Sequence, residues 1–289
     1  MSLVKQVERK SMEIRYSGRS TDYISPSFGY GCLFNCSYCY MKRHLPEGLT
    51  VAGNPDTILQ AIDRHVHFYA DVKKPNQTHP HFISYDISCN EDFALHAKFH
   101  DWEKIFSFFR DHDLAMASMA TKTIPRHFLE FNPEGKVRIR FSLMPQRIAD
   151  MVEPNTAPIA ERIAAIDEFI DSGYDIHVNF SPIILYNGWE EDYEELFWKL
   201  NDGIAHCNKD IVLSECIMLT HEEKKHMRNL KDQLPAEHLL WNPAIQEPKT
   251  SQYGGKNVRY KRDIKRQAIN RFTEIHDRVI SWNTIRYIF

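Results

Sequence analysis

"GYGCLFNCSYCYMKRH", residues 29–44, places three cysteines and three tyrosines within sixteen residues. Half of the chain's six cysteines, Cys32, Cys36 and Cys39, fall in one eight-residue window. The others, Cys89, Cys207 and Cys216, are scattered far along the chain. A disulfide framework fails as a reading, because three cysteines cannot pair among themselves. The spacing C-x3-C-x2-C suits convergence on one centre better than bridging. The opening "MSLVKQVERK" is charged and lacks the apolar stretch of an export signal, so reduced thiols and a cytoplasmic location are expected. The window reads as a metal site.

Structural zinc takes four ligands, usually as two separated pairs. Here three thiols stand together, with His44 and Cys89 as the evident candidates for a fourth donor. An iron–sulfur cubane normally takes four cysteines, so three on a short loop leave one iron without a protein ligand. C-x3-C-x2-C with an aromatic residue before the last cysteine resembles the signature of radical S-adenosylmethionine enzymes. That resemblance implies a 4Fe-4S cluster on Cys32, Cys36 and Cys39, with S-adenosylmethionine chelated through its amino and carboxylate groups at the open iron. It further implies reductive cleavage to a 5′-deoxyadenosyl radical that abstracts hydrogen, chemistry that side chains cannot perform. An incomplete zinc site is the alternative. Tyr38 and Tyr40 flank Cys39, either packing over the loop or shielding the cluster and touching the nucleoside.

Composition bounds the rest. The chain of 289 residues, 43% hydrophobic and 26% charged, can bury a large core, and no run of apolar residues is long enough to span a membrane. Its net charge of -3 carries no global sign of nucleic-acid binding. Locally the balance differs: residues 249–271 hold eight Lys or Arg against one acid, Asp263. Such an excess is a candidate phosphate footprint, although basic runs are more often solvated faces.

Strands and helices alternate. "PSFGYG" leads into the cysteine loop, and "PDTILQAIDRHVHFYADV" has helical spacing with Pro55 near its start. "HFISYDIS", "LAMASMAT", "KVRIRFSL", "YDIHVNFSPII" and "DIVLSECIML" read as strands. Helices are expected at "HDWEKIFSFFRDH", "PRHFLEF", "APIAERIAAIDEFIDSG", "EDYEELFWKLNDGIAH" and "HEEKKHMRNLKDQL". Six βα units argue an α/β fold of the TIM type, a partial (β/α)6 barrel over residues 1–248 with a short N-terminal extension. Residues 249–289 are expected to form a C-terminal β-hairpin and basic helix packed on that core. The loops at the C-terminal ends of the strands should carry the chemistry. Cys89 in "DISCNED", Lys122 in "ATKT", Ser142 and Ser181 all lie at or near such ends.

The ordered segments "GCLFNCSYCYM", "ISCNED", "TKT", "VRIRFSL", "MVEPNTAPIAERIAAIDEFIDSGYDIHVNFSPIILYNGWEEDYEELF" and "YGGKNVRY" resemble the spore photoproduct lyase family over about residues 23 to 265. That resemblance implies an enzyme, a carbon–carbon lyase that reverses a thymine dimer lesion in DNA to two thymines. It implies Cys32, Cys36 and Cys39 as cluster ligands and Cys89 as the hydrogen-atom donor to the repaired thymine radical. Tyr38, Lys122, Ser142 and Ser181 fall at cofactor contacts, and Tyr40 between cofactor, donor cysteine and lesion. The partners implied are lesion-bearing DNA and a reductant such as a flavodoxin or ferredoxin, with no membrane. An isolated cysteine is ordinarily a small buried hydrophobe. Cys89 is set apart by its motif, whereas core positions are expected for Cys207 and Cys216.

Three departures from the family pattern stand out. Only 31 residues precede Cys32, so the family's N-terminal extension is expected to be missing. Asn90 and Glu91 replace a usual Thr-Ser pair in the cofactor cradle, and Gln252 replaces an Arg of the lesion-binding hairpin. These changes leave the radical chemistry intact and bear on which lesion is taken. Within residues 250–262, Gly254-Gly255 supplies a turn, and Tyr253, Lys256, Arg259 and Tyr260 are expected to bind substrate. Two other functions stay open: a radical enzyme acting on another nucleobase-containing substrate, and a non-catalytic, metal-stabilised nucleic-acid-binding protein.

Overall fold

Strands buried on both faces and helices with one apolar stripe make up most of the chain, which falls into two units in a computed structural model describing residues 4–41, 48–234, 236–250 and 254–289. The first unit comprises Met1–Leu33, Leu45–Phe141 and Ala165–His177; the second comprises Phe34–His44, Ser142–Ala164 and Val178–Phe289.

In the first unit, β1 (Tyr23–Ile24) pairs in parallel with β2 (Ile83–Asp86), and β2 with β3 (Ala115–Thr121). Strand β3 pairs in parallel with β4 (Val137–Ser142), and Arg15–Tyr16 borders β1 antiparallel. Helix α1 (Pro55–Tyr69) connects β1 to β2. Pro55 starts it because proline's missing N–H costs nothing in a first helical turn, and Ile58, Ile62 and Val66 bury one face. Helix α2 (Trp102–Asp111) connects β2 to β3 and buries Ile105, Phe106 and Phe109. Where "PRHFLEF" reads as a helix, the chain forms a single 3-10 turn, Arg126–Glu130. Trp102, Phe106, Phe128, Phe131 and Tyr174 pack edge to face or tilted around these elements. Burying each such ring contributes about 1.5–3 kcal/mol. A second strand, Gly29–Tyr30, also precedes the cysteine loop; it pairs antiparallel with Thr50–Ala52, which runs parallel to Lys5–Val7.

Strand β4 is buried at every position, yet two of its six residues are arginines. Arg138 and Arg140 share one face, as residues two apart in a strand must. Each is neutralised there, Arg138 by Asp175 at 2.7 Å and Arg140 by Asp86 at 2.8 Å.

In the second unit, α3 (Gln146–Val152) follows β4, a helix that periodicity did not anticipate in so short a segment. The expected helix over "APIAERIAAIDEFIDSG" is two short ones, Ile159–Ala164 and Ile166–Asp171, of which the latter lies in the first unit. Gly173, in the left-handed region at φ +87°, ends the second. Next come β5 (Asp175–Ile183), α4 (Trp189–Gly203), β6 (Leu213–Met218) and α5 (Glu223–Lys231). Strand Thr284–Ile288 runs parallel to β6 at the outer edge. The hairpin consists of Gln246–Thr250 and Lys256–Tyr260, joined antiparallel, with Thr220–Glu222 pairing on the far side of Lys256–Tyr260. Helix α6 (Arg262–Val279) lies against α4, and Phe180, Tyr193, Phe197 and Phe272 form the local core with ring centroids 5.2–6.5 Å apart. Among the described residues, no helix is long and apolar enough to cross a membrane.

Candidate functional site

The cysteine loop is shaped by two backbone positions. Gly31 has φ +106°, and a side chain there would put a Cβ 3.1 Å from the Gly48 carbonyl oxygen. Asn35 has φ +57°, a conformation Asn tolerates better than most residues. A turn follows, in which the Cys39 N–H donates to the Cys36 carbonyl at 3.0 Å. Cys36 is buried, while Cys32 and Cys39 are partly open. None of the six cysteines is in a disulfide.

In the second unit the middle of this loop is clamped from two sides. The Ser37 N–H donates to the Val152 carbonyl at 2.8 Å, at the end of α3. From α5, Asn229 Nδ2 donates to the Ser37 carbonyl at 2.9 Å and Lys225 Nζ donates to the Tyr38 carbonyl. The Tyr38 hydroxyl donates to Glu153 Oε1. Burial, the Glu153 carboxylate and the Cys36 thiol hold the Tyr38 phenol well above its usual pKa, so it stays protonated and keeps donating. Glu153 in turn faces Arg162, whose Nη1 and Nη2 both lie 3.2 Å from Oε2. Arg162 is fully buried and also donates to the carbonyls of Ser142 and Ala157 and to Thr156 Oγ1, at 2.7, 2.8 and 2.7 Å. Ser142, the last residue of β4, is thus tied into the same network through its carbonyl. Ser181 lies within β5, two residues before its end, and is partly exposed. Tyr40 is 40% exposed.

In the first unit, Cys89 lies three residues beyond β2 and Lys122 immediately beyond β3, so adjacent parallel strands deliver both to the same edge. Arg15 Nη2 lies 3.6 Å from Cys89 Sγ, within hydrogen-bonding reach of sulfur. The buried Asp92 accepts from the Lys122 N–H at 3.0 Å and from Thr121 Oγ1 at 2.8 Å, and also caps the next short helix through the Leu95 N–H. Asn90 and Glu91, the two departures from the family's motif, support the loop entrance. The Asn90 carbonyl accepts from the Gly31 N–H at 3.1 Å. Glu91 is buried between His96 and His100, at 3.3 and 2.9 Å, and fills the space where a Cβ on Gly29 would sit 2.1 Å from its Oε2. Burial pushes the Glu91 carboxyl up, but its two histidines outweigh burial and its pKa is lowered.

The hairpin divides its expected substrate contacts. Lys256 is well exposed, 3.9 Å from Glu223, and Arg259 pairs with Glu247 at 2.9 Å. Tyr260 does not present a ring to solvent: it is 1% exposed and its hydroxyl accepts from the Leu185 N–H at 2.8 Å. Its buried ring and this hydrogen bond anchor the hairpin. A cleft of about 490 Å³ lies beside it, with Arg259, Arg262, Lys265 and Arg266 facing the single acid Glu247. Tyr253, Gln252 and His44 lie outside the described residues.

Cys216 is buried as expected, its thiol pKa pushed up by burial and by Glu215. Cys207, expected in a core, is exposed on the turn His206–Ile211. A second possible metal group, Asp63 with His67 and His112, brings ligand atoms within 4.8 Å. His112 Nδ1, however, accepts from the Leu114 and Ala115 N–H groups at 3.0 and 3.2 Å. Its Nε2 therefore carries the proton and has no lone pair for a metal. Sequence reading missed Arg15, Glu153, Arg162, Lys225 and Asn229. Glu153 and Arg162 lie inside a segment that carries the family resemblance, and Lys225 and Asn229 inside an expected helix, but nothing local to either marks them as supports of the cysteine loop.

Comparison with known proteins follows the same outline. A family model described as spore photoproduct lyase matches residues 2–289. The spore photoproduct lyase of Bacillus subtilis (strain 168) is 26% identical over 259 residues, covering 88% of this chain and 72% of that protein. That of Clostridium acetobutylicum is 22% identical over 284 residues, covering 97% of this chain and 80% of that protein. Among solved structures, a spore photoproduct lyase complexed with dinucleoside spore photoproduct is similar at a TM-score of 0.85 and 21% identity, over 98% of this chain and 81% of that one. A double mutant with bound AdoMet and the same dinucleoside matches at a TM-score of 0.85 and 20% identity, over the same shares. The expected partial (β/α)6 barrel is the fold of this chain.

Proposed function

The chain belongs to the spore photoproduct lyase family, and from that premise we propose that it is a radical S-adenosylmethionine lyase acting on a thymine dimer lesion in DNA. The observation that carries this reading is the pairing of a three-thiol loop with Cys89 beyond β2, in the motif the family shares. The donor set suits a 4Fe-4S cluster better than zinc: three thiols outside any disulfide stand on one short loop, where a structural zinc would take four ligands. Cys32, Cys36 and Cys39 would hold that cluster. When bound, the cluster and S-adenosylmethionine supply the electron and the adenosyl radical that abstracts hydrogen.

The chain's own residues do the rest. Lys225, Asn229 and the Val152 carbonyl fix the loop backbone between Cys36 and Cys39. Tyr38, held protonated against Glu153, cannot swing away from the loop. Lys122, Ser142 and Ser181, at or near strand ends, would hold the cofactor with an ammonium and two hydroxyls. Cys89 returns a hydrogen atom: an S–H bond is weaker than the C–H bond it forms, so the transfer is downhill and moves no charge. Tyr40, 40% exposed on the loop, would lie against the lesion. The cations of the hairpin and of the cleft beside it, from Lys256 to Arg266, would take neighbouring phosphates. Lifting the damaged base out of the stack costs a few kcal/mol, less than for an intact base.

Anaerobic reconstitution with iron and sulfide, followed by incubation with S-adenosylmethionine and dinucleoside spore photoproduct, tests the assignment. Loss of the lesion with both thymine nucleosides restored, and 5′-deoxyadenosine formed or turned over, is the expected result. Cofactor cleavage without restored thymines would shift the substrate to another nucleobase lesion, and a colourless zinc protein would overturn the radical reading.

A further inference from the structure

Cys89 sits in a turn of the first unit whose main chain is held by four hydrogen bonds. The Ser88 N–H donates to Asp86 Oδ1 at 2.9 Å, and Arg140 braces that carboxylate at 2.8 Å. Ser88 Oγ donates to the Glu91 carbonyl at 2.9 Å and accepts from the Phe93 N–H at 3.2 Å. The N–H of Gly31, the residue before Cys32, donates to the Asn90 carbonyl at 3.1 Å. With the backbone fixed on both sides of Cys89, rotation about its Cα–Cβ bond decides where the sulfur lies, and that bond has three staggered wells. Arg15 reaches this sulfur from another element. It is half-buried on the strand Arg15–Tyr16, and its Nη2 lies 3.6 Å from Cys89 Sγ. Arg15 pairs with Ile24, and Ile24 with Asp86 of β2. Residues opposite one another in neighbouring strands share a face, so Arg15 stands on the same face of the sheet as the carboxylate that holds the turn.

We propose that Arg15 is the positioning residue for Cys89: its guanidinium holds the sulfur in the one rotamer from which hydrogen is returned to the product radical. This rests on the proposed function, in which Cys89 is the hydrogen donor. Nη2 donates to a lone pair of the sulfur, which leaves the S–H bond directed away from Arg15. A guanidinium has no acceptor and does not give up its proton. It therefore grips the sulfur without taking the hydrogen, whereas a neighbouring histidine would accept it. In the transfer the S–H bond breaks and a C–H bond forms. The hydrogen carries one electron, the unpaired electron passes to sulfur, and Arg15 keeps its charge throughout. A positive charge also draws a thiol towards thiolate, which has no hydrogen to give. Positioning and charge thus act in opposite directions, and removing Arg15 separates them.

The test uses the reconstituted full chain with S-adenosylmethionine, dinucleoside spore photoproduct and a fixed excess of dithionite, which reduces the cluster and traps product radicals that Cys89 misses. Arg15→Met removes the donor and keeps an unbranched stem. All three wells then open, the thiol is in place roughly a third of the time, and the ratio of restored thymine to dithionite adduct should fall about threefold. Arg15→Lys, which keeps a charged donor, should recover part of that ratio. The initial rate of lesion consumption and KM should stay at parent values, and adding Arg15→Met to Cys89→Ala should change nothing further. In the cluster-free chain with isotope-labelled cysteine, three-bond NMR couplings should report a single Cys89 rotamer in the parent and an average in Arg15→Met. If Arg15→Met does not fold, Arg15→Gln, a neutral donor too short to reach the sulfur, is read in its place. An unchanged ratio or an unchanged rotamer would overturn the proposal. So would a raised ratio, which assigns Arg15 to drawing off the thiol's proton, or a raised KM, which makes it a substrate ligand. Parent yield of restored thymine from Cys89→Ala identifies failure of the functional reading itself, and this proposal falls with it.

Discussion

Replacing Arg162 with Met should cost the second unit much of its stability and loosen the cysteine loop. Arg162 is 0% exposed and Glu153 3% exposed. The substitution keeps an unbranched apolar stem but removes a guanidinium making five hydrogen bonds, two of them to Glu153 Oε2 at 3.2 Å. A buried carboxylate then loses the charge that offsets its desolvation, which typically costs about 3–5 kcal/mol. The Ser142 and Ala157 carbonyls lose donors too, so the upper half of that range is expected. Against a total of about 5–15 kcal/mol this is a large fraction, and the thermal midpoint should fall on the order of 10 °C. Urea unfolding of the cluster-free chain, followed by circular dichroism, measures it. Glu153→Gln combined with Arg162→Met removes both charges while Gln can still accept from Tyr38. The pair should therefore recover on the order of 1–3 kcal/mol relative to Arg162→Met alone. A loss below about 1 kcal/mol in the single variant, or no recovery in the double, would refute the view that this pair supports the loop.

Three further outcomes are expected. Cys89→Ala should retain cofactor cleavage and hydrogen abstraction from substrate while product shifts to adducts with other reductants, and normal thymine yield would remove Cys89 from its role. Lys256→Ala with Arg259→Ala should lower the slope of log K against log salt for DNA binding by about two; an unchanged slope with intact folding would leave the hairpin as a lid. Burial and the nearby Arg138 charge lower the His79 pKa from 6.5 to about 4. The unfolded chain therefore binds this proton first, and stability contributed by neutral His79 is lost as the pH falls from about 6.5 towards 4. His79→Asn, which can still accept from the Phe82 N–H as Nδ1 does at 2.8 Å, should flatten that decline in urea midpoint; an unaltered decline would assign it to other groups.

What the amino-acid sequence determined by itself was whatever is encoded within a short window. The C-x3-C-x2-C spacing, short strand runs such as Ala115–Thr121, the period-3.6 stripe of Ile58, Ile62 and Val66, and the hairpin turn at Gly254 each depend on neighbours a few residues away. Their chemistry and their order also sufficed to point to the family. Tertiary structure alone decided which polar groups neutralise one another. Lys225 reaches the cysteine loop across 187 residues and Tyr38 meets Glu153 across 115, and nothing in "HEEKKHMRNLKDQL" separates the buried Lys225 from the exposed Lys224. Arg138 and Arg140 are likewise tolerated in a buried strand only because Asp175 and Asp86 are brought against them. Tyr260 read as an exposed aromatic for the same reason. Apolar burial is non-directional and leaves a periodic trace along the chain, whereas a buried charge is tolerated only where a particular distant partner meets it, and that partner's identity is a property of the folded chain.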